Sequence, residues 1–157
     1  MTRETPRPFV STTPYDASHP RALAVYCSDG RFTQAVEELL KHLGHARLDT
    51  LTMPGGPGLL NLWASSVLEA DQVERAARFL IRAHAIEHVV LLAHAGCGYY
   101  RQRSPGRPPG ETKQSQLEDL QVAGRALRSA RPGLTIELFY ASIDGARVRF
   151  DPVGPDR

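Results

Sequence analysis

Val89-Val-Leu-Leu-Ala-His94 is the stretch that decides the fold, because an uninterrupted apolar run is typical of a strand buried on both faces. Ala22-Leu-Ala-Val-Tyr-Cys27 is a second run of the same kind. Shorter segments over 48–52 and 134–140 also predict strands. Apolar residues at helical spacing separate these four strands, so we expect a mostly parallel sheet with helices on both faces.

This alternation predicts an α/β fold, a single three-layer domain with a central, mostly parallel β-sheet flanked by helices. Asp144-Gly145 is a two-residue turn signal, which predicts a C-terminal antiparallel edge strand over 146–150. We expect the domain over 21–157, preceded by an irregular, proline-bearing N-terminal arm over 1–20. Helices are expected over 33–43, over 62–85 or 71–85, and over 112–130, and shaped loops over 53–58 and 101–110.

Composition excludes several classes of protein. The chain has 157 residues, of which 41% are hydrophobic and 23% charged, which suits one domain with a real core. A net charge of +2 argues against a nucleic-acid or anionic-membrane surface. No apolar run approaches the roughly 20 residues of a membrane span, and we see no signal sequence, so we expect a cytoplasmic location. Cysteines in that compartment are ligands or nucleophiles more often than disulfides.

Two short motifs carry the chemistry. Cys27-Ser-Asp29-Gly-Arg31 ends the first apolar run, and His94-Ala-Gly-Cys97 ends the third; they contain the only two cysteines of the chain. Because the carboxyl ends of parallel strands form one edge of a sheet, both motifs are expected at the same edge, where such sheets bind ligands. Two thiolates and one imidazole are a good tetrahedral zinc set with one position left open.

Asp29 and Arg31 suit such an open position. Strand alternation places Cys27 and Asp29 on one side if the chain stays extended, and Arg31 can then make a bidentate contact with the Asp29 carboxylate. Two thiolates cancel the charge of a zinc ion, so a hydroxide held there near neutral pH needs support. Asp29 can accept its hydrogen bond while Arg31 keeps the carboxylate ionised; if Arg31 lets go, Asp29 could itself bind the metal.

These residues resemble the β-class carbonic anhydrases, whose pattern is Cys-x-Asp-x-Arg after the first core strand and His-x-x-Cys after a later one. Segments 86–98 and 139–145 are also similar to the family, so the likeness spans roughly residues 20–150. The resemblance implies reversible hydration of carbon dioxide to bicarbonate by a zinc-bound hydroxide. It implies a homodimer or higher homo-oligomer, because family members build part of the pocket from the neighbouring subunit. The implied zinc ligands are Cys27, His94 and Cys97, with Asp29 as a fourth ligand or as the catalytic partner of Arg31.

The chain departs from the family at several points. Met53-Pro-Gly-Gly56 stands where the family usually has Asn-Ala-Gly, and Tyr99 and Tyr100 stand where small residues are common, so these rings can narrow or block the cavity. Two alternatives therefore stay open: a non-catalytic zinc protein with a sensor or assembly role, and a hydrolase of a related small electrophile such as carbon disulfide. A thiol-based phosphatase is disfavoured, because Thr33 stands where its phosphate loop needs arginine.

Several other polar and aromatic residues have ordinary explanations. Trp63 and the tyrosine pair are expected in the core or in a dimer contact. Gly55, Gly56 and Gly58 could shape an anion-binding backbone nest, but they lack the strand-glycine-helix phosphate pattern. The remaining histidines are expected mostly on solvated loops and helix faces, and sequence does not choose a proton shuttle among them: His19, His42, His45, His84 and His88.

Overall fold

The structure is a computed structural model that describes residues 7–61 and 66–154. Strands and helices alternate along these residues, and a single 3-10 turn, Gly56–Leu60, follows the second strand. The strands are β1 (Ala22–Cys27), β2 (Asp49–Met53), β3 (His88–His94), β4 (Thr135–Asp144) and β5 (Arg147–Pro152). The helices are α1 (Gly30–His42), α2 (Val67–Ala83), α3 (Gly98–Arg103) and α4 (Pro109–Arg128).

The five strands form one sheet in the order β2-β1-β3-β4-β5. β1 pairs in parallel with both β2 and β3, and β3 pairs in parallel with β4. β5 returns antiparallel to β4 at the edge of the sheet, with Asp144 opposite Arg147 across the hairpin. The predicted α/β fold with a mostly parallel sheet and an antiparallel edge strand is confirmed.

Helices cover both faces of the sheet, which confirms the three-layer prediction. On one face α1 places Val36 and Leu40 against strand residues such as Val90. On the other face α2 and α4 place Ile81 and Leu127 against the alternate residues of the same strands. β1 and β3 are therefore buried on both sides, as their continuous apolar runs predict.

Some boundaries differ from the prediction for local physical reasons. α1 begins at Gly30 rather than Thr33, because the Asp29 side chain accepts from the backbone N–H of Arg31 and caps the helix. The loop predicted over 101–110 is wrong in part, since α3 runs to Arg103 and α4 already begins at Pro109. Proline suits a first helical turn, where its missing N–H has no partner to lose.

The helix predicted from Leu62 or Asp71 begins at Val67. Ser66 and Glu69 form a reciprocal capping box there: the Ser66 hydroxyl accepts from the Glu69 N–H, and the Glu69 carboxylate accepts from the Ser66 N–H. Residues 62–65 lie outside the described residues. The expectation for Trp63 therefore lies outside them as well.

Residues 7–20 of the predicted arm contain no helix or strand. They contact the body of the fold through Arg47, which is paired with the Asp16 carboxylate and donates to the Ser18 carbonyl at 2.7 Å. The His19 ring stacks on the His84 ring with centroids 3.9 Å apart. Within the described part of the chain, no helix has the length and apolar character needed to cross a membrane.

The packing of α4 on the sheet gives a stability prediction. Leu127 is fully buried between α4 and the sheet, so Leu127→Ala should lower the free energy of unfolding by about 2–5 kcal/mol through lost apolar contact and a residual cavity. Leu68→Ala is the matched control, because Leu68 is 82% exposed in α2. Urea denaturation of both variants measures the difference; equal stabilities would contradict this assignment of the core.

Candidate metal centre

The carboxyl ends of β1 and β3 bring the two sequence motifs together. Cys27 is the last residue of β1 and His94 the last of β3, and these strands are parallel neighbours. Cys97 follows after a two-residue turn and precedes α3. One ligand atom from each of the three residues lies within 4.8 Å of the others, and the two sulfur atoms are 3.8 Å apart. Cys27, His94 and Cys97 are at most 9% exposed.

The His94 ring is oriented with one nitrogen free. Nδ1 lies 2.9 Å from the carbonyl oxygen of Ala95, which accepts the Nδ1–H and leaves a lone pair on Nε2. Nε2 is buried and has no hydrogen-bond partner within residues 7–61 and 66–154. A buried polar atom without a partner is costly in a folded protein, whereas a lone pair facing two sulfurs is what a metal ion needs. The ring also packs against Phe32, with centroids 4.3 Å apart.

The two thiols share their protons unequally. The hydrogen bond between them raises the pKa of Cys27 to about 12, and burial acts in the same direction. The same contact between the sulfurs lowers the pKa of Cys97 to about 6. Burial lowers the pKa of His94, but the nearby Cys27 side chain and the hydrogen bond to the Ala95 carbonyl outweigh that effect, so this pKa is raised overall. One thiolate is therefore already present near neutral pH.

Asp29 and Arg31 form the predicted carboxylate-guanidinium pair beside this group. Nη2 of Arg31 donates to Oδ2 of Asp29 at 2.6 Å, and Nε donates to Oδ1 at 3.0 Å. This pairing lowers the pKa of Asp29 to about 2, so the carboxylate is ionised at any physiological pH. Arg31 also donates to the carbonyl of Gly96 at 3.4 Å, which links the pair to the turn between His94 and Cys97.

Asp29 stands next to the three ligand atoms without joining them. Its Oδ2 is 4.0 Å from Nε2 of His94. The group whose donor atoms lie within 4.8 Å of one another contains Cys27, His94 and Cys97, and Asp29 is not in it. In this arrangement the carboxylate is bound to Arg31 and faces the histidine.

The glycine-rich loop after β2 closes another side of the site. Gly56 adopts φ of +53°, and a Cβ there would lie 2.7 Å from the backbone nitrogen of Cys27, so the loop approaches β1 more closely than a side chain permits. The backbone of Gly55 acts to lower the pKa of both cysteine thiols, although burial and the contact between the two sulfurs act more strongly. That these glycines shape an anion-binding nest stays a prediction.

Tyr99 and Tyr100 both pack on this loop. The ring of Tyr99 lies against Gly55, and the hydroxyl of Tyr100 occupies the space that a side chain at Gly58 would need. The Tyr100 hydroxyl donates to the carboxylate of Asp119. That the two rings narrow the access to the metal group stays a prediction.

Two polar residues near the site were missed by the sequence reasoning. Gln116 and Asp119 of α4 are 1% and 5% exposed, and the Gln116 side-chain amide donates to the backbone carbonyl of His94 at 2.8 Å. The two lie three positions apart, on the face of α4 that also carries the buried Leu120 and Ala123. A polar pair at helical spacing within an apolar stripe is the signal that could have identified them.

The other histidines gather away from the metal group. Nδ1 of His84 lies 2.6 Å from Oδ2 of Asp49, the first residue of β2, and His88 begins β3 with its ring 5.2 Å from that of His45. These positions mark the amino edge of the sheet, opposite Cys27 and His94. The expectation that most histidines are solvated is wrong for His45, His84 and His88, which are partly buried.

Comparison with known proteins decides the family. A family model described as "Putative carbonic anhydrase" matches residues 17–148, most of the chain. The chain belongs to the β-carbonic anhydrase family. The match contains both motifs of the metal group and every strand up to the start of β5. No curated protein sequence matches the chain.

Solved structures share the fold of this family member at low sequence identity. The β-carbonic anhydrase CafA of Aspergillus fumigatus superposes with a TM-score of 0.59 at 15% identity, covering 88% of this chain and 78% of that one. One of two tetrameric β-carbonic anhydrases of Sordaria macrospora gives 0.53 at 13% identity, covering 85% and 81%. An apo form of carbon disulfide hydrolase gives 0.52 at 14% identity, covering 84% and 78%. At these identities the likeness concerns the fold.

The close approach of Gly56 to β1 gives a prediction. Gly56→Ala should lower the free energy of unfolding by about 2–5 kcal/mol, because it combines left-handed strain with overlap on the backbone of Cys27. Gly106→Ala is the matched control, since Gly106 has φ of +76° and open space around its Cα. Thermal or urea unfolding of both variants measures how much of the stability loss comes from the steric overlap with the Cys27 backbone. An equal loss in the two would show that strain alone accounts for the cost.

Proposed function

We propose that this family member binds zinc through Cys27, His94 and Cys97 and catalyses the reversible hydration of carbon dioxide to bicarbonate. The observation that carries the proposal is the buried Nε2 of His94, which lacks a hydrogen-bond partner in the described residues and converges with two sulfur atoms. Two thiolates and an imidazole suit zinc in both charge and softness. Membership of the carbonic anhydrase family supports the reaction.

Zinc held there would supply a Lewis acid that lowers the pKa of a water molecule. The protein's own contribution begins with Asp29, whose Oδ2 lies 4.0 Å from Nε2 of His94 and faces the position beside the three ligands. There it can accept a hydrogen bond from the reacting water and orient its oxygen toward the carbon of carbon dioxide. This help matters because the two thiolates of Cys27 and Cys97 neutralise a divalent charge and weaken its pull on water.

Arg31 determines which role Asp29 plays. The guanidinium occupies both carboxylate oxygens and holds the pKa of Asp29 far below the working pH, so the carboxylate acts as an acceptor and not as an acid. A carboxylate held in this way is less available as a fourth metal ligand. The bidentate contact therefore favours the catalytic role of the pair over a closed, purely structural site.

The substrate class follows from the proposed chemistry, since the reaction needs a small electrophile at the open position. Carbon dioxide is favoured by the family. Carbon disulfide stays an alternative, because the fold is shared with a carbon disulfide hydrolase. A zinc protein without turnover, with a sensor or assembly role, is the other alternative, and the measurements below separate the three.

We further propose that the chain assembles as a homodimer or higher homo-oligomer. Phe9 and Tyr15 of the N-terminal segment are 91% and 92% exposed, and Val10 between them is 84% exposed. Large apolar side chains at such exposure are typical of surfaces that another subunit covers. The tetrameric β-carbonic anhydrases of Sordaria macrospora share the fold. A cytoplasmic location, which would keep both thiols reduced, stays a prediction.

Substitutions of the zinc ligands and substitutions of the Asp29–Arg31 pair should have different effects on zinc content and on turnover. Cys97→Ser should lose zinc, measured by elemental analysis, because it removes one of three donors. Asp29→Asn and Arg31→Ala should keep zinc and lower kcat for carbon dioxide hydration by about 100-fold or more, measured by stopped flow near pH 7 and pH 8.5. Carbon disulfide is tested as substrate with the same protein.

Arg21→Ala is the matched control for Arg31→Ala, because Arg21 pairs with Glu87 at 2.6 Å at the far edge of the sheet. Its activity should equal that of the unmodified protein. Full zinc occupancy in Cys97→Ser would remove that residue from the ligand set, and undiminished turnover in Asp29→Asn would remove the carboxylate from the reaction. Zinc binding without turnover on either substrate would support the non-catalytic alternative.

Zinc affinity should rise with pH, because zinc must displace protons from its ligands. Cys27 holds its proton up to a pKa of about 12, so even at alkaline pH zinc must displace that proton and the logarithm of the association constant should rise by about 1 per pH unit. Below the pKa of Cys97, about 6, the second thiol and His94 are protonated too, and the slope should steepen toward about 3. Chelator competition across this range measures it; an affinity independent of pH would contradict thiol ligation.

A further inference from the structure

A buried polar cluster lies behind the metal group and has no part in the reaction proposed above. It consists of Asn61, Tyr100 and Asp119. The Asp119 carboxylate accepts from the Asn61 side-chain amide at 2.6 Å through Oδ1 and from the Tyr100 hydroxyl through Oδ2. Asp119 and Asn61 are 5% and 9% exposed. A carboxylate is seldom buried this deeply unless it is paired, and a fully hydrogen-bonded buried network stiffens the segments that it joins.

Each member of the cluster comes from a segment that borders the metal group. Tyr100 lies three positions after Cys97, in the first turn of α3. Asn61 ends the 3-10 turn Gly56–Leu60, and Asp119 belongs to α4, which packs on the sheet. The cluster therefore ties the cysteine-bearing turn and the glycine loop to one rigid helix.

Steric fit couples the same two segments. The hydroxyl of Tyr100 fills the space beside Gly58, so ring and loop cannot shift independently. Gly56, two positions earlier, approaches β1 so closely that a Cβ there would lie 2.7 Å from the backbone nitrogen of Cys27. Tyr100 therefore contacts the same loop that packs against β1 at Cys27.

α4 also holds the other end of the ligand segment. Gln116, one turn before Asp119, donates to the backbone carbonyl of His94 at 2.8 Å, and its own side-chain carbonyl accepts from the Tyr140 hydroxyl at 3.4 Å. Two side chains on one face of one helix thus contact the chain at His94 and at Tyr100. The ligand residues His94 and Cys97 lie on the segment that these two contacts bracket.

We infer that Asp119 is a positioning residue for the metal group: through Tyr100 and Asn61 it holds Cys97 and the Gly55 loop at the spacing that the ion requires. This inference rests on the zinc site of the proposed function, and it holds whichever substrate that site takes. Outer-shell partners of this kind are worth about 10–100-fold in metal affinity.

Tyr100→Phe is the direct test, because it removes the hydroxyl and keeps the ring. Its zinc affinity, measured by chelator competition, should fall about 10–100-fold. The cobalt-substituted variant should show altered thiolate-to-cobalt absorption, a readout that a general loss of stability does not change. Tyr99→Phe is the matched control: the Tyr99 hydroxyl accepts from Arg103 at 3.4 Å outside the cluster, and affinity and spectrum should stay unchanged.

Asp119→Asn is the second variant, since it keeps the shape of the side chain and removes its charge; its affinity should fall in the same range. A third measurement needs no variant. Hydrogen exchange of the unmodified protein with and without zinc should slow at residues 55–61 and around residue 119, in addition to residues 94–100, because coupling between sites is reciprocal.

The outcomes are distinct. If Tyr100→Phe or Asp119→Asn has the same zinc affinity and cobalt spectrum as the unmodified protein, the inference is overturned, even if that variant unfolds at lower temperature. Zinc-dependent protection confined to 94–100 would overturn it as well, and this result is obtainable if both variants fail to fold. An unmodified protein that binds no zinc would overturn the proposed function and the inference together, whereas zinc binding without turnover would leave the inference intact.

Discussion

The parallel pairing of β1 with β3 is the constraint on which the metal group depends. Val25 stands opposite Leu91 in this pairing, and both side chains are fully buried. A slip of one residue would turn every side chain of one strand to the other face, so the apolar core holds the register firmly. With the register held, the strand ends at Cys27 and His94 come together without further adjustment. The geometry of the metal group is therefore a consequence of hydrophobic packing in the middle of the sheet.

Asp29 shows how few residues are needed to complete the group. Its carboxylate caps α1 through the backbone N–H of Arg31, pairs with the Arg31 guanidinium, and faces Nε2 of His94. The helix cap fixes the backbone of the segment, and the ion pair fixes the side chain. Arg31, two residues away, therefore sets both the position and the charge state of the Asp29 carboxylate. The five-residue segment from Cys27 to Arg31 is for this reason enough to specify both properties.

Local sequence patterns were enough to predict most of the fold and the main residues of the site. Continuous apolar runs identified β1 and β3, and the ends of those runs identified Cys27 and His94 as neighbours. α3 escaped because six residues rich in tyrosine and arginine show no amphipathic period. Asp119 was not predicted for another reason. Its role depends on which face of α4 packs on the sheet and on a contact with Tyr100, 19 positions earlier. Neither can be read from a short stretch of sequence.

The fit between Gly58 and Tyr100 has a consequence for how this chain can change. Any side chain at position 58 collides with the phenol, while a smaller residue at position 100 removes the collision and also removes the donor to Oδ2 of Asp119. Neither position can be altered alone without loss, so the two form an epistatic pair. A wider cavity in this region therefore requires coordinated replacements at positions 58 and 100.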